Sequence, residues 1–388
     1  MDVRPHIEPL TVEGNRLTLL TEGPERLEAL IGLIDRSERS LRLLYYIWHD
    51  DESGRRVRDA LLRALERGVA VSLLVDAFGA ANASAAFFEP LLKARSRFSR
   101  FVPRFGRRYL LRNHQKLAVA DGRAVIIGGF NIADEYFGTP ESGAWRDLGL
   151  LVEGKGVACL EPYFDDLFKW ASNGEGRIRE LRRILNRHSV RGGKFHWLLG
   201  GPTRRLSPWA RAVRADMRAA RRLDVIAAYF APGPALLRRA GNVARRGAFR
   251  LITAAKSDNN ATIMAARHSY AVLLRRGVRV FEYQRTRLHT KLFVMDDVVH
   301  IGSANFDMRS LYLNLEMMLR VDDAGFAAAM RRYVDGEVAD SVEITPEAYR
   351  RQRSWLNRIR WAFAYFVVAV ADYRIAHRLN FRHEPKLN

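Results

Sequence analysis

The chain has 388 residues, 48% of them hydrophobic, which is enough for two ordinary domains with buried cores. Its formal charge of +21, from 64 Lys and Arg against 43 Asp and Glu, points to a polyanionic partner: nucleic acid or an anionic membrane surface. The single cysteine, Cys159, excludes an intramolecular disulfide, and no Cys/His cluster has metal-ligand spacing.

In chain order, residues 1–10 contain Arg4, His6 and Glu8 and no apolar core, so no signal peptide is expected. Residues 40–48, SLRLLYYIW, form a short apolar run suited to a buried strand. A helical pattern follows at 57–68, with Leu61, Leu62 and Leu65 on one face, and then a second apolar strand at 69–75. Residues 93–112 carry Lys93 and seven arginines, interleaved with Phe98, Phe101, Phe105 and Tyr109. Three readings stay open there: a lip for lipid phosphates, a nucleic-acid groove, or a solvated loop. Residues 113–131 then read as a β-hairpin. The glycine-rich stretch 171–203 reads as a basic linker with one surface helix.

Beyond the linker the order repeats. Residues 222–230, RLDVIAAYF, match 40–48; a helical pattern at 235–247 and a strand at 248–255 follow; a second hairpin spans 288–305. Strand–helix–strand units repeated in this way predict an α/β protein of two halves. The expected division is a first half at 1–172, a linker at 173–204, a second half at 205–340 and a basic amphipathic tail at 341–388. The longest apolar run, 361–371, is too short to span a bilayer and suits an interfacial helix or a helix docked on the core.

The hairpins carry the chemistry. The first contains His114, Lys116 and Asp121, and the second His289, Lys291 and Asp296, both spaced as His-x-Lys-x4-Asp. Residues two apart on a strand share a face, so His and Lys point the same way. Asn131 and Asn305 follow their histidines by 17 and 16 residues and can return beside them. A neutral imidazole can attack phosphorus to give a covalent phosphohistidine, while a protonated one opposite serves as acid and then base. Lys116, Lys291, Asn131 and Asn305 can hold the non-bridging phosphate oxygens, the task that a metal performs in many phosphoryl-transfer sites. Neither metal nor cofactor is therefore expected. A working imidazole needs its other nitrogen fixed by an acceptor. Asp147 and Glu316, 33 and 27 residues after their respective histidines, are the candidates, one for each half. Asp121 and Asp296, at the turns, are expected to brace the hairpins and lysines. Lysine is scarce, with 8 against 56 arginines, which gives Lys116 and Lys291 added weight.

The paired motifs resemble the phospholipase D superfamily over roughly residues 20–340. Within it, residues 302–316, GSANFDMRSLYLNLE, resemble the second-motif signature of bacterial cardiolipin synthases. YYIWHD at 45–50, RGVAVSLLVD at 67–76 and Trp145-Arg-Asp147 are similar to that subgroup's first half. The resemblance implies two α/β/α halves with mixed sheets about a pseudo-twofold axis, and one active site at their interface. It further implies a metal-free phosphatidyltransferase with His114 as nucleophile and His289 as acid, joining two phospholipids such as phosphatidylglycerol. A phospholipase D-type lipid hydrolase and a metal-independent nuclease remain the alternatives. The expected partners are anionic phospholipids and the membrane surface, with nucleic acid less favoured. The chain is expected to be catalytically complete as a monomer, at the cytoplasmic face of the cell membrane.

Overall fold

The computed structural model describes residues 7–102, 111–173, 178–189, 193–203 and 206–371. Residues 103–110 of the Arg/aromatic stretch before His114, with Phe105 and Tyr109, lie outside the described residues.

Two eight-stranded mixed sheets organise the chain. From edge to edge the first runs Arg97–Phe101, Ala70–Asp76, Ser40–Tyr45, Leu117–Ala120, Ala124–Gly128, Gly149–Glu153, Asn15–Leu20 and Leu10–Val12. The second runs Ser341–Glu343, Arg279–Tyr283, Ala248–Ala254, Arg222–Ala227, Lys291–Met295, Val298–Gly302, Glu316–Asp322 and Phe195–Gly200. Removing the outermost strand of each, Leu10–Val12 and Ser341–Glu343, leaves seven strands in the same order, which is the predicted pseudo-twofold repeat. Three parallel strands linked by helices make one side of each sheet, and antiparallel pairs make the other.

The correspondence corrects two boundaries. Phe195–Gly200, inside the stretch read as linker, pairs with Glu316–Asp322 and is the second half's equivalent of Asn15–Leu20. Glycines crowd both of its ends, at Gly192, Gly193, Gly200 and Gly201, and hide a six-residue apolar run, FHWLLG. Ser341–Glu343, read as the start of the tail, extends the second sheet beside Arg279–Tyr283.

Helices Gly23–Asp35, Glu52–Glu66 and Ala85–Lys93 seal one face of the first sheet around Leu30, Leu61, Leu73 and Phe88. Pro208–Ala219, Pro234–Arg246 and Asn260–Leu274 do the same for the second around Trp209, Leu223 and Phe293. The other faces share one core. There Leu117, Ile127 and Leu150 join Leu292, Ile301 and Leu319, with Phe164 and Met330 supplied by helices Leu160–Ser172 and Ala324–Ala339. Continuous apolar burial fixes the halves against each other, which a site divided between them requires.

Helix Trp355–Tyr365 leaves the second sheet and lies on Asn260–Leu274. Trp361 is buried and stacks on Tyr349 at 5.6 Å, and the Tyr365 hydroxyl donates to the Pro232 carbonyl at 2.8 Å. One face of the tail is thus docked on the core. No helix among the described residues is long and apolar enough to cross a membrane.

Candidate active site

Each His-Lys strand enters its sheet through a bridge to the opposite half. Asn113 pairs in parallel with Leu315, and the His114 amide donates to the Leu315 carbonyl at 2.9 Å. Symmetrically, Leu288 pairs with Arg146, and the His289 amide donates to the Arg146 carbonyl at 2.7 Å. Leu315 precedes Glu316 and Arg146 precedes Asp147, so each histidine meets the carboxylate of the other half. Nδ1 of His114 lies 3.1 Å from both Glu316 oxygens, and Nδ1 of His289 lies 2.6 Å from Oδ2 of Asp147. Asp147 and Glu316 are each hydrogen-bonded to an imidazole, but crosswise, contrary to the own-half pairing read from sequence. Sequence separation carries no information about which half supplies a partner; the bridges do, and only the fold reveals them.

With Nδ1–H donating to a carboxylate, each ring presents Nε2 as the free nitrogen. Burial lowers the pKa of both imidazoles, that of His289 to about 4, with the positive charge of Lys291 and Lys116 adding and Asp147 opposing. Lys291 in turn contributes to the lowering at His114. The two motifs therefore share one electrostatic environment. Burial holds Lys116 well below the usual lysine range and Lys291 at about 8, with Glu316 and Asp147 countering in both. Lys116 Nζ donates to the His114 carbonyl at 2.6 Å, and Lys291 Nζ to the His289 carbonyl. These bonds hold each ammonium beside its histidine.

The other predicted residues divide into two groups. Asn131 Oδ1 accepts from the Ile47 amide at 3.1 Å, and Asn305 Oδ1 from the Tyr229 amide at 3.3 Å. Ile47 and Tyr229 occupy equivalent places in the repeat, so both asparagines fasten the ends of the central strands; Asn131 Nδ2 is further committed to the Tyr136 hydroxyl at 2.9 Å. Asp121 and Asp296 stand at the hairpin turns, at φ 54° and 48°, a region that short polar residues tolerate. Asp121 accepts from the amides of Glu38, Arg39 and Ser40, and Asp296 from those of Arg221 and Arg222. Both carboxylates bond backbone that leads into the neighbouring strands, Ser40–Tyr45 and Arg222–Ala227, while Lys116 and Lys291 donate to the His114 and His289 carbonyls, so among the described residues the aspartates brace the hairpins and not the lysines. A residue five positions beyond the lysine on a hairpin is carried to its turn, away from the strand end where His and Lys sit.

Sequence reasoning passed over the ring walls and one hydroxyl. Tyr46 stands edge-on to His114 at 5.1 Å, with Lys116 Nζ 5.3 Å from its ring. Tyr136 and Trp145 flank His289, each at 5.3 Å. Ser303 donates to Glu316 Oε2 at 2.5 Å and accepts from the Met317 amide at 3.0 Å. The repeat offered a signal for it: Ser303 aligns with Gly129, so one half has Ile-Gly-Ser where the other has Ile-Gly-Gly. A Cβ on Gly129 would lie 2.4 Å from Asp147 Oδ1, so the carboxylate occupies the space of the missing side chain. His300, next to the second motif, is instead bonded to Asp216 at 2.8 Å. Among the described residues, no group of three His, Cys, Asp or Glu is placed to hold a metal.

Fold and site together define a class: a pseudo-symmetric protein of the phospholipase D superfamily, with one His-Lys-Asp motif from each half. The family model described as cardiolipin synthase, PLD-like domain, matches residues 30–159 and 214–337, and the chain belongs to that family. It is 34% identical to a cardiolipin synthase A of Pseudomonas fluorescens over 351 residues, 87% of this chain and 71% of that protein. It is 28% identical to a cardiolipin synthase of Listeria monocytogenes, covering 90% and 74% of the two. Among solved structures, phosphatidylserine synthase of Haemophilus influenzae superposes with a TM-score of 0.75 at 14% identity, covering 95% of this chain and 96% of that one.

Proposed function

We propose that the chain is a phosphatidyltransferase of cardiolipin synthase type, working through a phosphohistidine on His114. Nε2 of His114 attacks the phosphorus of one phospholipid, such as phosphatidylglycerol. The P–O bond to the headgroup breaks, and the leaving alkoxide takes a proton from His289. The hydroxyl of a second phospholipid gives its proton to His289 and attacks the same phosphorus, releasing His114. One phosphodiester replaces another of similar energy, so no nucleotide is consumed. Lys116 and Lys291 neutralise the non-bridging oxygens, where charge concentrates. The negative charge of an incoming phosphodiester also raises the depressed pKa of His289 and equips it as an acid.

The crossed pairing carries this reading. Each histidine is bonded to a carboxylate of the other half, which supports a single phosphorus shared between them, and one chain supplies every group named. The cardiolipin synthases among the relatives supply the substrate class. We place the protein at the cytoplasmic face of the membrane, acting as a monomer on anionic lipids.

The test is incubation of purified protein with vesicles containing labelled phosphatidylglycerol and a chelator. Diphosphatidylglycerol and free glycerol are expected. Phosphatidate alone would make the chain a hydrolase; DNA cleavage without lipid turnover would overturn the lipid assignment.

A further inference from the structure

The tail helix has a second face. Trp361, Ala364 and Ala369 are buried against the second half, whereas Trp355, Ile359, Phe363 and Phe366 are 68%, 59%, 68% and 54% exposed. These four follow one another at intervals of four, four and three residues and form one solvent-facing stripe. Large apolar side chains concentrated on one helical face are not ordinary surface scatter.

At the start of the stripe a groove of about 500 Å³ opens between this helix and Asn260–Leu274, bordered by Arg275, Arg353, Arg358, His268 and Trp355. Among the described residues none of the three arginines has a carboxylate within ion-pair distance, whereas neighbouring Arg350 is paired with Glu347 at 2.7 Å. The three line the same groove, around the buried Tyr349. The other end of the helix reaches the neighbourhood of the candidate site. Ala369 packs with Ala231 and Met308, on the segments that follow Tyr229 and Asn305.

We infer that this face docks on an anionic phospholipid bilayer: the Trp355–Phe366 stripe enters the interface, and Arg275, Arg353 and Arg358 hold a lipid phosphate in the groove. Charge complementarity selects the occupant. A protein partner of ordinary apolar character leaves the three arginines of the groove unpaired, whereas an anionic bilayer offers acyl chains beside a plane of phosphates, matching both surfaces at once. Arg also suits phosphate, because its planar fork donates two parallel hydrogen bonds. The docked helix then lies along the membrane with its end beside the site, shortening the path of a lipid into the cleft. This inference rests on the membrane reading proposed above, but its readout is binding and needs no turnover.

The test uses the full chain and vesicles of phosphatidylcholine with or without phosphatidylglycerol, in a sedimentation assay. Replacing Trp355, Ile359 and Phe363 together by Ser should weaken binding to phosphatidylglycerol vesicles by about ten-fold or more and remove the part that survives high salt. Replacing Arg275, Arg353 and Arg358 by Gln should instead abolish the preference for anionic vesicles and flatten the salt dependence. Both variants should keep wild-type melting temperatures, since the substituted groups are exposed or rim a groove. Turnover of a soluble short-chain phosphatidylglycerol should also be kept. Unchanged vesicle binding by the Ser variant overturns the inference. So does conversion of a wild-type dimer to a monomer by that variant with vesicle binding intact, which would make the stripe a contact between copies. Wild-type protein that binds vesicles but forms no diphosphatidylglycerol refutes the proposed reaction and leaves the docking face standing.

Discussion

The two histidine–carboxylate pairs are related by the pseudo-twofold axis yet are not equivalent. His114 is the more open, with its side chain 13% exposed, and shares its Nδ1 proton between both Glu316 oxygens at 3.1 Å, one of which also takes the Ser303 hydroxyl at 2.5 Å. His289 is walled by Tyr136 and Trp145, 6% exposed, and makes one short bond of 2.6 Å to Asp147. The difference suits a division of labour. A nucleophile must carry a bulky phosphatidyl group and be reached by a second lipid, so it needs space. An acid–base group moves only a proton and gains from a fixed orientation in a dry wall. A duplicated motif has thus kept its geometry while its surroundings diverged.

The largest effects should come from the histidines. His114→Ala is expected to lower turnover by about 10^4-fold or more and to abolish covalent labelling. His289→Ala should lower turnover comparably with ordinary lipids yet still form the adduct with a substrate whose leaving group needs no proton. Rapid-quench detection of phosphoenzyme decides; labelling by His114→Ala alone would reverse the assigned roles.

The crossed pairing is tested by the carboxylates. Glu316→Gln, although it lies in the second half, should slow adduct formation on His114 by roughly 10^2- to 10^4-fold. Asp147→Asn, in the first half, should act through His289, with labelling by an activated substrate largely spared. Single-turnover rates showing the opposite pattern would break the comparison.

Smaller effects should come from the Gly129/Ser303 asymmetry. Ser303→Ala removes one donor to Glu316 and is expected to cost about ten-fold in the labelling step. Gly129→Ser, which copies the second half into the first, forces its Cβ against Asp147 and should impair the acid–base step more than Ser303→Ala impairs labelling. Stopped-flow measurement of the two steps checks both.

The mildest effects are pH responses. Burial lowers His289 from its ordinary 6.5 to about 4, so below 6.5 the unfolded chain takes up the proton more readily than the folded one. Its contribution to stability is complete above about pH 6.5 and is lost as pH falls through about 4. That loss is on the order of 3 kcal/mol at most. Melting temperatures should therefore fall less steeply with acid in His289→Asn than in the parent. At the other end, Lys291 loses its charge near pH 8, so kcat/KM should decline above that point, and Lys291→Arg should flatten the decline in whatever activity remains.

Much of this arrangement was legible in the sequence because it is local. Strand alternation puts His114 with Lys116 and His289 with Lys291, and the Asp turns close hairpins whose strands are almost wholly apolar. The repeat made two like α/β halves legible, though not the order of their strands. What escaped is non-local or masked. Phe195–Gly200 is too short to be seen among its glycines. The exchange of carboxylates depends on the Asn113–Leu315 and Leu288–Arg146 bridges, each joining residues far apart in the chain. The two open readings of the tail concern different faces of one helix, and burial alone separates Trp361 from Trp355 and Phe363.

The exchange of carboxylates also sets a clock on the newborn protein. His114 meets Glu316, 202 residues further along the chain. At ribosomal speeds of about 5–20 residues per second, the first half waits roughly 10 to 40 seconds for its partner to be synthesised, and longer for it to fold. During that interval the first half holds a histidine whose tautomer nothing fixes and a carboxylate, Asp147, with no imidazole to hold. The nascent chain is therefore latent. A truncated product of interrupted translation that lacks Glu316 is expected to be inert as well.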